Sequence, residues 1–150
     1  MSDYHLAQLN IARMKTHLEH PSMEGFVSRL DEINSLAEKS TGFVWRLKDE
    51  ETGNAMEIQA FDDPKLVVNL SVWQSIESLR AFTYNTAHTD VMRQRKQWFE
   101  HLDIYMVLWW IPKGHIPSLE EAKERLSLLE KNGSRQAAFT FRTPFDSPSM

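Results

Sequence analysis

Tyr84 and His88 are the first candidate pair of side chains that could do chemistry together. They are four residues apart, so on a continuous helix both would lie on one face. An imidazole exchanges its proton near neutral pH, and a phenol hydroxyl donates and accepts hydrogen bonds. The pair could therefore deprotonate and orient a small molecule. The alternative is that His88 is simply hydrogen-bonded at the boundary of a helix.

Arg95 is the second candidate, because it falls in the same helical register as Val91 and Trp98. That register turns the guanidinium inward or sideways, where burial is costly without an anionic partner. Arg95, with Trp98 beside it, would then bind a ligand that carries a carboxylate or a phenolate. The alternatives are a salt bridge to a core carboxylate and an aliphatic stem that packs while the charge reaches water.

His115 lies in a loop between Gly114 and Ile116, just before a predicted helix. Backbone N–H groups at the start of a helix favour anions, so the position suits ligand binding, and it suits a structural loop contact equally well. His17 and His20 have a spacing that occurs in metal sites, but no cluster of acidic or histidine residues accompanies them. We therefore predict no metal site.

Aromatic side chains could stack on a planar ligand. The tryptophans at strand spacing are Trp45, Trp73, Trp109 and Trp110. Aromatic residues in this pattern are more often part of a hydrophobic core, which is the alternative for all of them. The predicted ligand contacts are Trp73, Phe82, Trp98 and Trp109.

Composition restricts the class of protein. The chain has 150 residues, no cysteine, and 17 basic against 21 acidic side chains, which gives a net charge of −4. Disulfides and thiolate metal sites are excluded, and the sequence lacks the basic stripe typical of nucleic-acid-binding proteins. The longest apolar run, Ile104 to Ile111, is too short to span a bilayer, and no signal peptide is apparent. We expect one cytoplasmic domain over residues 1–150, with a core at about 5–141 and a loose tail at 142–150, and with no membrane or nucleic-acid partner.

Hydrophobic periodicity predicts the elements that must position these side chains. Strands are predicted at 5–12, 43–48, 55–61, 66–73, 104–111 and 136–141, and helices after Ser22, after Ser75, at about 89–101 and after Ser118. Ser118 and Glu121 have the spacing of a capping box, and Gly133 would end the last helix. This order predicts an α+β fold with a ferredoxin-like antiparallel sheet and helices on one face.

The predicted strand at 104–111 is apolar on both faces. Ile104, Met106, Leu108 and Trp110 would point one way, and Tyr105, Val107, Trp109 and Ile111 the other. A strand with one face in water should alternate apolar and polar residues, so something must cover the second face. A second copy of the chain would do so, which predicts a homodimer. The alternative is an added helix or the C-terminal strand of the same chain.

Several stretches of the sequence carry a family resemblance, and one of them is Phe82–Tyr84 followed by His88, Arg93, Arg95, Trp98 and Phe99. The stretch from Val72 to Leu79, followed by Phe82, resembles the strand-to-helix joint of dimeric α+β barrel proteins, which include antibiotic-biosynthesis and haem-degrading monooxygenases. The run Leu108–Pro112, with Gly114, His115 and Pro117 after it, is similar to one family in that superfamily, domain of unknown function 3291. The resemblance covers about residues 5 to 141 and implies a two-subunit barrel that encloses a pocket for a small molecule.

The resemblance also implies roles for individual residues. In the haem-degrading relatives a histidine after the corresponding helix ligates iron, and an asparagine on the first strand and a tryptophan in the helix assist the oxidation. His88 and Asn10 match the first two positions, and Phe82 stands at the third. In an enzyme, His88 would be the base or ligand, Asn10 and Tyr84 would orient the substrate, and Arg95 would hold an anionic group.

Three functions are compatible with this resemblance. The first is a small-molecule-binding, monooxygenase-like enzyme that acts on a planar aromatic or polyketide-like substrate without a cofactor. The second is a haem-binding or haem-degrading protein. The third is a non-catalytic dimeric ligand-binding or scaffold module, whose aromatic residues form the core and the interface.

Overall fold

The computed structural model describes residues 3–16, 20–47, 65–84, 89, 93–94, 97–100 and 106–147 of the chain. The elements follow in the order β1 (Tyr4–Met14), α1 (Glu24–Lys39), β2 (Phe43–Arg46), β3 (Leu66–Trp73), α2 (Ile76–Thr83), β4 (Phe99–Glu100), β5 (Met106–Pro112) and α3 (Leu119–Asn132). The predicted strand at 55–61 and most of the predicted helix at 89–101 lie outside the described residues. Within the described ranges, every helix is too short or too polar to cross a membrane.

A five-stranded antiparallel sheet forms the frame of the molecule. β1 lies at its centre, with β3 along one side and with β5 and the short β4 along the other. β2 extends the sheet beyond β3. The predicted α+β class with a ferredoxin-like antiparallel sheet is confirmed. The segment at 136–141 differs from the predicted strand, because Ala138 and Phe139 make only isolated bridges.

Local sequence signals fix the start of α2 and the turn that precedes β2. Ser75 accepts a hydrogen bond from the Ser78 backbone N–H at 3.1 Å, and the Ser78 hydroxyl accepts one from the Ser75 N–H at 3.2 Å. Gly42 turns the chain between α1 and β2 with φ at +86°, and a Cβ there would lie 2.4 Å from the Ser78 Cβ. Only glycine fits this turn, because both the left-handed backbone and the close approach exclude a side chain.

One face of the sheet packs against α3. The buried residues of this layer are Ala7, Leu9, Ile11, Val68, Leu70, Val72, Val107, Trp109 and Ile111 from the sheet, with Ala122, Leu126 and Leu129 from α3. Trp109 is 0% exposed and Ile111 is 2% exposed, so the face of β5 that predicts a partner is covered within the chain. The position of the helices therefore also differs from the prediction: helices lie on both faces, and burial of this face does not require a second copy.

The opposite face of the sheet carries two separate apolar clusters under α1 and α2. The first cluster contains Leu6, Ala37, Trp73, Ile76, Leu79, Leu108 and Phe139. The second cluster contains Met14, Met23, Val67 and Trp98. α1 connects the two clusters, because Phe26 near its start packs against the second and Ala37 near its end belongs to the first.

The chain after α3 returns to the first cluster. The Trp110 indole N–H donates to the Phe145 carbonyl at 2.9 Å, and the ring centroids of Phe139 and Phe145 lie 5.8 Å apart. Residues 142–147 belong to the predicted loose tail, yet their aromatic side chain packs against the sheet. This segment therefore closes one end of the face that carries α1 and α2.

Candidate functional site

A polar band interrupts the apolar packing on the face of the sheet that α1 and α2 cover. We use this name for Gln8, Asn10, Asn69 and Ser71. The register of β1 against β3 places Gln8 opposite Ser71 and Asn10 opposite Asn69. Residues that are opposite in an antiparallel pair point to the same side of the sheet, so the four side chains form one continuous patch.

Apolar residues border the polar band at both ends. The pair next to Gln8 and Ser71 is Leu6 and Trp73, which belong to the first cluster. The pair beyond Asn10 and Asn69 is Ala12 and Val67, which pack in the second cluster. On α1, Asn34 is 9% exposed and lies in sequence between the residues that pack in the two clusters. The gap between the clusters is therefore where polar side chains collect.

Gln8 and Ser71 form the buried part of the polar band. Gln8 is 4% exposed, and its Nε2 donates to Asn69 Oδ1 at 2.6 Å and to Ser71 Oγ at 2.7 Å. Trp73 Nε1 donates to the same Ser71 oxygen at 2.9 Å. A buried network of this kind is held rigidly, because each group is fixed by the partner beside it. The band thus presents hydrogen-bonding groups in fixed positions.

The polar band reaches solvent at its Asn10–Asn69 end. Asn69 is exposed, while Asn10 and its β5 neighbour Met106 are half-buried. None of the four side chains of the band carries a charge. Ligand sites of small proteins combine an apolar surround with a few fixed polar groups, and this patch has that composition.

Three of the predicted site residues lie in or beside the polar band. Asn10 is a member of it, as described above. Trp73 is 1% exposed and stacks on the half-buried Phe82, with ring centroids 5.2 Å apart and an interplanar angle of 26°. The Trp73 ring is therefore core, and its N–H is the part that reaches the band.

The structure places two other predicted residues away from the polar band. Tyr84 follows the end of α2 and is 75% exposed, so it does not face the band. Trp98 is 2% exposed and packs against Phe26 in the second cluster, with ring centroids 5.6 Å apart. His88 and Arg95, the predicted base and anion-binding residue, lie outside the described residues.

His115 and Trp109 belong to a second polar cluster, at the start of α3. Glu121 Oε1 accepts from His115 Nε2 at 2.7 Å, and Glu121 Oε2 accepts from Trp109 Nε1 at 2.8 Å. The predicted capping box is half formed: Ser118 Oγ accepts from the Glu121 backbone N–H at 3.1 Å, but the Glu121 side chain turns to the two aromatic partners. The cluster ties the loop, the sheet and α3 together.

The second polar cluster lies beside a surface groove of about 810 Å³ between β5 and α3, and not beside the polar band. The groove is lined in part by Trp110, Pro112 and Glu124. An anion at His115 would meet the Glu121 carboxylate, so the hydrogen bond between them disfavours the predicted anion contact. Among the described residues, no group of three or more acidic or histidine side chains is arranged to hold a metal ion.

Gln8, Asn69 and Ser71 belong to the candidate site but are not predicted from the sequence. Their signal is a polar residue at alternate positions in two strands: Gln8 and Asn10 in β1, and Asn69 and Ser71 in β3. Alternation within one strand is ordinary for a face in water. The pattern becomes informative only once the pairing of β1 with β3 shows that both sets lie under the same helices.

The sheet topology and the positions of the helices define a class of α+β proteins that includes solved structures of low sequence identity. A Shewanella oneidensis protein aligns over 73% of this chain and 93% of its own, with 10% identity and a TM-score of 0.52. An antibiotic biosynthesis monooxygenase candidate from Nitrosomonas europaea aligns over 79% and 97%, with 11% identity and a TM-score of 0.50. A conserved Methanosarcina mazei protein aligns over 74% and 94%, with 10% identity and a TM-score of 0.50. At these identities the likeness shows the fold alone.

Within this class the chain belongs to the family named domain of unknown function 3291, whose profile matches residues 5–150. The predicted family and its antibiotic-biosynthesis-monooxygenase-like fold are thus confirmed. No protein with a curated description is significantly similar in sequence.

Proposed function

We propose that this protein binds a small organic molecule over the polar band, between the sheet and its α1 and α2 side. The observation that carries the proposal is the Gln8–Ser71 network. Two polar side chains, 4% and 6% exposed, are fixed beside Asn10 and Asn69, between two apolar clusters of the same sheet face. Apolar residues would have a lower free-energy cost of burial at these positions than polar ones. A ligand that hydrogen-bonds to the polar groups would offset that cost.

The activity that we propose for this site is a monooxygenase-like reaction on a planar aromatic substrate. One support is the shared fold with the Nitrosomonas europaea structure, which is named as an antibiotic biosynthesis monooxygenase candidate. The other is the position of Asn10, because a half-buried amide in the band can orient a substrate. The roles of His88 and Arg95 stay predictions, as does the haem-binding alternative that depends on His88. Oxygen consumption with polyphenolic substrates, and its fall in Asn10→Ala, would support the reaction. Equal oxygen consumption by Asn10→Ala and by the unaltered protein would show that Asn10 takes no part in the reaction.

The binding site is tested with Gln8→Leu. Leucine is apolar and one bond shorter than glutamine. The variant should still fold, because Ser71 keeps the Trp73 N–H and Asn69 is open to solvent, while it loses the amide that organises the polar band. We expect a planar aromatic ligand found by screening to shift the NMR resonances of Gln8, Asn69 and Ser71 in the unaltered protein, and to bind Gln8→Leu at least about tenfold more weakly.

The matched control for this test is Gln136→Leu, because Gln136 is exposed and lies after α3. It makes the same chemical change outside the polar band and should leave affinity unaltered. If Gln8→Leu and Gln136→Leu bind the ligand equally well, the ligand does not use the polar band and the proposed site is wrong.

A homodimer is a separate proposal that now depends on the family resemblance, because α3 covers the face of β5 that suggested it. Light scattering on the purified protein decides it. A monomer has a mass of 17.5 kDa, and a dimer has twice that mass.

A further inference from the structure

Ser71 has a hydroxyl proton for which the described residues provide no acceptor. Its oxygen receives one N–H from Trp73 at 2.9 Å and another from Gln8 at 2.7 Å. A hydroxyl has two lone pairs and one proton, so these two bonds occupy both lone pairs and leave the proton to be donated elsewhere. Ser71 is 6% exposed, so this donor is held in place beneath the surface.

Gln8 presents the complementary group beside that proton. Every hydrogen bond of its amide is made by Nε2, so Oε1 accepts none from the described part of the chain. The side chain is 4% exposed, so Oε1 lies near the surface end of a mostly buried amide. Nε2 of the same planar amide lies 2.7 Å from Ser71 Oγ. A free donor and a free acceptor therefore lie side by side.

We propose that the ligand of the polar band carries an uncharged amide group, as in a carboxamide or a lactam. Its carbonyl oxygen accepts the Ser71 proton, and its N–H donates to Gln8 Oε1. This inference rests on the proposed function and names the class of ligand. An amide matches the site because it places one acceptor and one donor on neighbouring atoms.

A carboxylate does not match the same pair of groups. It offers acceptors only, so one of its oxygens would face the Gln8 carbonyl oxygen without a proton between them. It would also bring a charge to a band whose four members are neutral, and burial of an unpaired charge is costly. The polar band should therefore reject a carboxylate that has the same ring system as a bound amide.

Three probes that share one ring system test the inference on the full chain. They are 2-naphthamide, its acid 2-naphthoate, and N,N-dimethyl-2-naphthamide, which keeps the carbonyl and has no N–H. We expect 2-naphthamide to shift the resonances of Gln8, Asn69 and Ser71 and to bind about tenfold more tightly than either of the other two. Affinities are measured by NMR titration.

Two variants test whether the Ser71 hydroxyl causes the preference for 2-naphthamide over 2-naphthoate. Ser71→Ala removes the hydroxyl and should bring the affinities for 2-naphthamide and 2-naphthoate to within about twofold of each other. Ser127→Ala makes the same change at an exposed position of α3 and should keep the full preference. If Ser71→Ala does not fold, because the Trp73 N–H loses its partner, the ranking of the three probes on the unaltered chain still decides the inference.

The failures of the inference and of the proposed function are distinguishable. Equal or tighter binding of 2-naphthoate, or a preference that survives in Ser71→Ala, would overturn the amide assignment while ligand binding over the polar band stands. If none of the three probes shifts a resonance of the polar band, the proposed site falls, and the inference falls with it.

Discussion

The four side chains of the polar band differ from their neighbours in what their burial costs. A buried amide or hydroxyl that lacks a partner costs roughly 1–3 kcal/mol, whereas an apolar residue of the same size is stabilising there. Gln8 and Ser71 recover part of that cost through three short hydrogen bonds, two from Gln8 and one from Trp73. The remaining Ser71 proton and Gln8 carbonyl oxygen are the groups that the proposed ligand would pair.

His5 makes stability depend on pH. It lies on β1 opposite Ile111, and its Nδ1 is buried without a hydrogen-bond partner in the described part of the chain. Burial, and then the positive charge of Lys113, lower the pKa of His5 below its ordinary 6.5. The His5 ring therefore binds a proton more readily in the unfolded chain than in the folded one. The contribution of His5 to stability is present above pH 6.5 and is lost as the pH falls from 6.5 towards the lowered pKa.

We expect His5→Gln to flatten this part of the pH profile. The free energy of unfolding, measured with urea between pH 5 and pH 8, should fall with acid more steeply in the unaltered protein than in the variant. Parallel profiles for the unaltered protein and His5→Gln would contradict the assignment.

At the scale of elements, the sequence predicts most strands and helices but not how they combine. β1, β3 and β5 are predicted because their apolar residues alternate or run continuously, and α2 and α3 because a serine stands before each helical pattern. The polar band is not predictable in this way, since Gln8 and Ser71 meet only through pairing between strands far apart in the chain. Of the band, Asn10 alone is predicted, and the resemblance rather than its spacing points to it.

The position of α3 depends on Glu121, whose side chain has a different role from the one that its spacing to Ser118 predicts. Glu121 fits the pattern of a capping box, but its carboxylate binds the His115 ring and the Trp109 indole. Aromatic N–H groups compete for the carboxylate because Trp109, which is 0% exposed, has a buried donor that needs an acceptor. A pattern of two residues cannot reveal a competitor that lies on another element.

Glu121→Ala should destabilise the protein by roughly 1–3 kcal/mol, because it leaves the Trp109 N–H buried without an acceptor. Urea denaturation measures the change. Glu120→Ala, one residue earlier and exposed, is the matched control and should cost less than about 0.5 kcal/mol. Equal effects of the two variants would show that Glu121 does not tie α3 to the sheet.

At the scale of the whole molecule, a single chain covers both faces of its sheet. α3 covers the apolar centre of one face, while α1, α2 and the C-terminal segment cover the other face around the polar band. The two faces therefore differ in composition. The α3 side supplies an uninterrupted apolar core, and that core supports the side on which the polar residues are placed.

Leu126→Glu tests whether α3 shields the apolar strands of this face from further association. Leu126 is 4% exposed against this face, so a buried carboxylate there should displace the helix and uncover the apolar strands. We expect a larger and more heterogeneous mass by light scattering than for the unaltered protein. Ser127→Glu adds the same charge at an exposed position and should keep the original mass; an unchanged mass in Leu126→Glu as well would refute this role.

The hydrogen bond from Trp73 to Ser71 gives the protein an optical reporter of its own. The indole N–H of Trp73 bonds to the same hydroxyl that we propose contacts the ligand. When that hydroxyl donates to a bound carbonyl, it becomes a stronger partner for the indole, and the fluorophore is perturbed without any ligand touching its buried ring. Tryptophan emission, read without a label, should therefore follow occupancy of the polar band.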